Sequence, residues 1–144
     1  MVKSKKFFIV IIFFIYLAVL IKLIVFKYPS GMVVDLANSN FVPLKTILPY
    51  LRGSPTWIVA RNNLLGNIIP FLPLGFLIPL LHRSISWKHV FGLAVAVNSS
   101  IELLQVVSRV GAFDIDDILL NALGAAIGYA IFTLIVRSLL KTKL

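Results

Sequence analysis

The chain alternates long apolar stretches with short polar segments. A helix needs roughly 20 mostly apolar residues to cross the hydrocarbon core of a bilayer. The pattern therefore predicts an all-α, polytopic membrane protein with four transmembrane helices, and a single membrane domain over residues 1–144. The predicted spans are residues 7–26, 62–81, 88–107 and 117–136.

The loop between the first two predicted spans contains a helical pattern of its own. Leu44, Ile47, Leu48 and Leu51 follow the i, i+3, i+4, i+7 spacing of one helix face. Pro43 suits the first turn of a helix, where its missing N–H is not needed. We therefore expect a short helix in this loop, lying in the outer membrane interface.

Polar side chains inside the last three spans recur at helical spacing, so each span carries a polar stripe on one face. A charge in the membrane interior is expensive, so these stripes are expected to face one another around a polar pocket inside the bundle. The stripes consist of Asn63 and Asn67 in the second span, Asn98, Glu102, Gln105 and Arg109 in the third, and Asp117 and Asn121 in the fourth.

Glycine and proline refine this arrangement. Gly124 and Gly128 continue the polar face of the fourth span as a GxxxG motif, which allows close helix packing within the bundle or between chains. The second span contains Pro70, Pro73 and Pro79, and the first two are expected to kink or unwind the helix beside the pocket.

Composition agrees with a membrane location. The chain is 60% hydrophobic, only 13% charged, and has no cysteine, which excludes disulfides, zinc thiolates and thiol catalysis. Its net charge of +9 comes from basic residues beside the apolar spans, a pattern that favours an anionic leaflet over nucleic acid as the partner. With four spans, both termini lie on the same side of the membrane, together with the loop between the second and third spans. These segments carry eight Lys and Arg residues, whereas the other two loops carry five, so both termini are predicted to be cytoplasmic.

The few carboxylates are the candidates for chemistry. Glu102 and Asp117 share faces with other polar groups, so they are candidate acid/base residues, or ligands of a divalent cation such as Mg²⁺, Ca²⁺ or Mn²⁺. The alternative is a structural hydrogen-bond network between helices. Asp114 and Asp116 either bind a ligand or cap the fourth helix.

Six short motifs in order along the chain resemble the VanZ-like family. These motifs are NFVPLKTI from Asn40, NLLGN from Asn63, FLPLG from Phe71, SIELLQ from Ser100, FDIDD from Phe113, and NALG from Asn121 followed by Gly128-Tyr129. The chain departs from the family pattern at Ala112, where an Arg commonly stands, and Arg109 is the candidate to replace it. The family motif residues carried onto this chain are Asn63, Asn67, Glu102, Gln105, Asp114, Asp116, Asp117 and Asn121.

The resemblance implies a protein of the bacterial cytoplasmic membrane, in a family associated with lowered sensitivity to teicoplanin, a lipid-tailed glycopeptide antibiotic. A relationship between such proteins and membrane enzymes that act on lipid head groups has been proposed. Three hypotheses follow: an enzyme using Glu102 and Asp117 on a lipid head group, a module that binds a lipid-linked cell-wall precursor or a lipoglycopeptide, and a structural subunit that limits antibiotic access.

Overall fold

The structure is a computed structural model that describes residues 2–25, 37, 39–108 and 111–141. Four of its helices are long and apolar enough to cross a membrane, which confirms the predicted all-α class. Within the described residues there is no strand, only a single parallel bridge between Asn40 and Asp114. The helices are α1 (Val2–Val25), α2 (Ile47–Leu51), α3 (Trp57–Leu81), α4 (Trp87–Val107), α5 (Ile115–Phe132), which runs on into a π-helical turn at Thr133–Arg137, and α6 (Ser138–Lys141).

Two of the long helices begin earlier than their apolar runs, because polar side chains cap their first turns. The Thr56 hydroxyl accepts a hydrogen bond from the Val59 amide, and α3 therefore starts at Trp57 rather than near residue 62. The Asp114 carboxylate accepts from the Asp116 amide and caps α5. The capping residue therefore fixes where each of these helices begins, and the hydropathy run alone does not.

The short helix in the first loop, α2, is smaller than its spacing predicts. Leu44 has a φ of +67°, the left-handed region, and α2 begins only at Ile47. The prediction that Leu44 belongs to this helix is wrong. The physical reason is that the amides of Leu44, Thr46 and Ile47 donate to the Asp116 side chain, which turns the chain before the helix can start.

The sequence predicts that α3 kinks or unwinds at Pro70 and Pro73, and the continuous helix from Trp57 to Leu81 shows that it does not unwind there. Membrane helices tolerate proline where neighbouring groups satisfy the backbone. Tyr16 of α1 donates its hydroxyl hydrogen to the Pro70 carbonyl at 2.7 Å, which ties α1 to the middle of α3.

The closest helix pair is α3 with α5, and glycine makes this approach possible. A Cβ atom on Gly124 would lie 2.2 Å from the Ile68 carbonyl oxygen, and one on Gly128 would lie 2.0 Å from that of Leu72. Across the same contact, a Cβ on Gly75 of α3 would lie 1.9 Å from the Ala125 carbonyl oxygen. The GxxxG motif therefore packs α5 against α3 of the same chain.

The apolar core lies to one side of this contact. It is built from buried residues of all four long helices and is partly covered by Tyr129. The buried members are Leu20, Phe71, Leu74, Ile78, Val90, Ala94 and Ala125. The core holds α1, α3, α4 and α5 together at one level of the bundle and leaves the polar stripes at another.

Candidate functional site

A cavity of about 380 Å³ is bounded chiefly by α3, α4 and α5, and most of the polar side chains of the bundle line it. Its volume lies within the range of about 300–1,000 Å³ that is common for small-molecule sites. The lining residues are Leu23 of α1, Asn62, Asn63, Gly66, Asn67, Pro70 and Phe71 of α3, Asn98, Ile101, Glu102 and Gln105 of α4, and Asp117 and Asn121 of α5.

The polar stripe of α4 forms one wall of this cavity. Asn98, Glu102 and Gln105 are 2%, 6% and 4% exposed, so this face is turned into the bundle rather than towards lipid. Asn98 donates to the Ala94 carbonyl one turn earlier and accepts from the Asn121 side chain at 2.7 Å. This hydrogen bond between two side-chain amides fixes α4 against α5 at Asn98, the N-terminal end of the stripe.

The two carboxylates of the cavity are held by neighbouring helices. Glu102 accepts a hydrogen bond from the Asp114 amide at 3.1 Å, at the start of α5. Asp117 accepts from the Asn67 side chain of α3. Each carboxylate is therefore oriented by a donor from another element, which is the arrangement that positions reactive or ligand-binding groups.

A second polar cluster lies beside the cavity, around Asp116. This side chain is completely buried and accepts hydrogen bonds from the backbone amides of Leu44, Thr46 and Ile47. The Thr46 hydroxyl donates at 2.8 Å and the Asn40 side chain at 3.4 Å. We call the set Asn40, Leu44, Thr46, Ile47 and Asp116 the loop latch, because it fastens the first loop to α5.

The loop latch connects to the cavity through Asp114. The Asp114 carboxylate accepts from the Asn40 side chain at 2.9 Å, and its backbone amide donates to Glu102. Two backbone hydrogen bonds reinforce the connection: Asn40 donates to the Phe113 carbonyl at 2.7 Å, and Ile115 donates to the Asn40 carbonyl at 3.0 Å. Burial raises the pKa of the Asp114 carboxyl, against the hydrogen bonds that favour its charged form.

The structure sorts the residues singled out in the sequence into three groups. Glu102, Asp117, Asn63, Asn67, Gln105 and Asn121 line the cavity. Asp114 and Asp116 do not line it: Asp114 caps α5, and Asp116 lies within the first turn and holds the loop latch. Arg109 lies outside the described residues.

Asn98 was predicted to lie on the polar face of α4 but was not named as a ligand-binding residue, and Asn62 was not placed on a stripe, although both line the cavity. Asn98 belongs to the α4 stripe, so its spacing was the available signal. Asn40 and Thr46 of the loop latch were also missed as site residues. They lie inside the NFVPLKTI motif, but nothing in a single sequence connects that motif to an aspartate some 70 positions later.

The chemistry of the lining is rich in amides and carboxylates. Among the described residues, no basic side chain lines the cavity, and no group of three or more His, Cys, Asp or Glu side chains is close enough to hold a metal ion. Amide and carboxylate oxygens accept hydrogen bonds from hydroxyl and ammonium groups, and they are the oxygen ligands that Mg²⁺, Ca²⁺ and Mn²⁺ prefer.

Comparison with known proteins agrees with the motifs. Residues 13–137 match the family model described as VanZ/LLP1. Among curated proteins, the chain is similar to Protein VanZ of Enterococcus faecium, with 25% identity over 83 residues. The aligned segment covers 58% of this chain and 52% of that protein, so the match spans about half the length of the relative. No solved structure matches the chain.

Proposed function

Because the chain belongs to the VanZ/LLP1 family, we propose that its cavity binds the polar head group of a membrane lipid or of a lipid-linked cell-wall component. The observation that carries this proposal is the placement of two carboxylates, Glu102 and Asp117, in one amide-lined cavity inside a membrane-spanning bundle.

The lining favours a head group that donates hydrogen bonds. The carboxylates can only accept hydrogen bonds when ionised, and the amides can both donate and accept. Glu102 and Asp117 each accept a hydrogen bond from a neighbouring helix, and an ionised carboxylate has further acceptor sites that a hydroxyl-rich or ammonium-bearing head group can fill. An anionic phosphate would need a cation to bridge it to Glu102 and Asp117.

The same two carboxylates are the residues that would hold a divalent cation, with amide oxygens completing its ligands. Bound there, the ion would neutralise the cavity and polarise a head-group oxygen. In an enzymatic form of the proposal, Glu102 and Asp117 act as acid and base on the bound head group.

The wider setting is also part of the proposal. We place the chain in the bacterial cytoplasmic membrane with both termini in the cytoplasm, so that the cavity opens towards the outer leaflet. In that position it would bind a cell-wall precursor or a lipoglycopeptide and lower sensitivity to teicoplanin. The alternative role is a non-catalytic module or subunit that limits access of the antibiotic to the membrane surface.

The first test removes charge from the cavity while keeping side-chain shape. We expect Glu102→Gln and Asp117→Asn each to weaken head-group binding about tenfold or more, since hydrogen bonds to charged groups are worth roughly 1.5–3 kcal/mol. Binding is measured on purified protein in nanodiscs as the rise in thermal unfolding temperature on adding amine-bearing lipids, hydroxyl-rich glycolipids, Mg²⁺, Ca²⁺ or Mn²⁺.

Asp114→Asn is the matched control, because it makes the same chemical change outside the cavity. Unchanged stabilisation in both cavity variants would overturn the proposal. Comparing lipid and cell-wall precursor pools with and without the protein then separates an enzyme from a binding module. Turnover that disappears in both variants indicates chemistry, and stabilisation without any change in the pools indicates binding alone.

A further inference from the structure

A second, apolar cavity lies against the polar one. It has a volume of about 490 Å³ and runs between α1 and α4. Ile101 and Gln105 line both cavities, so these two side chains form the wall that the two share. The remaining lining consists of Leu17, Leu20 and Ile21 of α1 and Ala96, Val97, Ser100, Leu104 and Ser108 of or next to α4. We call this cavity the α1–α4 groove.

The groove lies between α1 and α4, and α1 packs more closely against α3 than against α4. On the α1 side, Leu20 is buried while Ile21 is 56% exposed, and on the α4 side Leu104 is 63% exposed. Within the part of the chain that the structure describes, the groove therefore has a closed floor and one side open towards the surroundings of the bundle. In a bilayer those surroundings are acyl chains, so the groove is open to lateral entry from lipid.

The polarity of the two cavities is complementary to one kind of molecule. The polar cavity holds Glu102, Asp117 and the amides, whereas the groove is almost entirely apolar. The two cavities adjoin at Ile101 and Gln105, so a single ligand that fills both has to be an amphiphile. A lipid occupying the groove alone would leave the polar cavity empty of its head group, and a soluble ligand would leave the groove unused.

We propose that the α1–α4 groove holds an alkyl or acyl chain of the same ligand whose head group occupies the polar cavity. This inference rests on the proposed function and adds the substrate class: a membrane amphiphile that enters sideways between α1 and α4. Lipid chains are as apolar as the groove, so it contributes packing and orientation rather than a hydrophobic driving force.

The chain offers a matched pair of reporter positions. Leu103 and Leu104 are neighbours on α4 and are 61% and 63% exposed, but only Leu104 lines the groove. Leu103→Trp and Leu104→Trp are made in a background where Trp57 and Trp87 are replaced by Phe. Each is placed in phosphatidylcholine nanodiscs with a small fraction of an alkylammonium amphiphile that carries bromine, a fluorescence quencher, along its chain.

We expect the brominated chain to quench Leu104→Trp at a concentration about tenfold lower than Leu103→Trp. Ser100→Phe fills the groove beside Leu104 and should abolish this preference. Equal quenching at the two positions would mean that the chain simply dissolves in the surrounding lipid, and would overturn the inference. Persistence of the preference in Ser100→Phe would overturn it as well.

A short-chain version of the same amine separates this inference from the function on which it rests. If the short amine raises the unfolding temperature, and Glu102→Gln removes that effect, the head-group site stands and the quenching result alone decides the groove. If neither amine stabilises the protein and the two reporters are quenched equally, the head-group site fails for ammonium ligands and the groove fails with it.

Discussion

At the scale of single residues, the Asp116 carboxylate accepts five hydrogen bonds that attach the first loop to α5. Four of its hydrogen bonds come from Leu44, Thr46 and Ile47, and the fifth from Asn40. Three backbone amides of one loop converge on this carboxylate, an arrangement that resembles the anion-binding nests that hold phosphate in other proteins. Here the anion belongs to the chain itself, so the nest is a structural contact.

We predict that Asp116→Asn weakens the loop latch severely. The new amide nitrogen cannot accept, so at least one buried donor loses its partner, at a cost of about 1–3 kcal/mol per group. Hydrogen exchange of the Leu44, Thr46 and Ile47 amides should accelerate about tenfold or more, while the amides of α3 exchange as in the wild type. Unchanged exchange in the loop would show that the latch does not hold it.

Asp114→Asn is the control for this prediction, because its remaining carbonyl oxygen can still accept from Asp116 and Asn40.

The same variant tests how the stability of the protein depends on pH. Burial raises the pKa of Asp114 in the folded protein, so its contribution to stability is fully present below its ordinary pKa and is lost as the pH rises through the folded value. The wild type should therefore lose stability relative to Asp114→Asn over that pH range.

At the scale of elements, the close contact between α3 and α5 leaves no room for a Cβ atom at three glycines, Gly75, Gly124 and Gly128. We predict that Gly124→Ala and Gly128→Ala each destabilise the protein by about 1–3 kcal/mol, because a Cβ would overlap backbone carbonyls that cannot move aside. Unfolding in sodium dodecyl sulfate measures the change.

Gly92→Ala is the matched control, since this helical glycine of α4 has open space where the Cβ would lie. It should be neutral or stabilise by up to about 1 kcal/mol, the difference in helix propensity between the two residues. If all three alanine variants behaved alike, close packing of α3 on α5 would not be the reason for the glycines.

The elements also show where sequence reasoning succeeds. Helix identity follows from local hydropathy, so the four spans were predictable, and helical spacing predicted that Asn98, Glu102 and Gln105 share a buried face. The loop latch was not predictable, because it joins Asn40 and Thr46 to Asp116 across a separation that no local period covers. The contact from Tyr16 of α1 to the Pro70 carbonyl of α3 was likewise not predictable, because it joins two helices far apart in the chain.

At the scale of the whole molecule, three levels can be distinguished along the bundle. The apolar core lies around Phe71, Leu74 and Ala125, the polar cavity lies next to it, and the loop latch adjoins the cavity at the start of α5. The direct link from the latch to the cavity is the Asp114 amide on Glu102. Because the loop latch adjoins the cavity, the orientation of the chain in the membrane decides whether this end of the bundle faces the outside or the cytoplasm.

We predict that the end carrying the loop latch faces outwards. Two exposed serines at opposite ends of α3 provide a matched pair: Ser54 precedes the helix and Ser84 follows it. The native chain has no cysteine, so Ser54→Cys and Ser84→Cys each introduce a unique thiol. In intact cells an impermeant maleimide should label Ser54→Cys directly, and should label Ser84→Cys only after the membrane is permeabilised. The opposite labelling pattern would turn the cavity towards the cytoplasm, where an extracellular antibiotic or cell-wall component could not reach it.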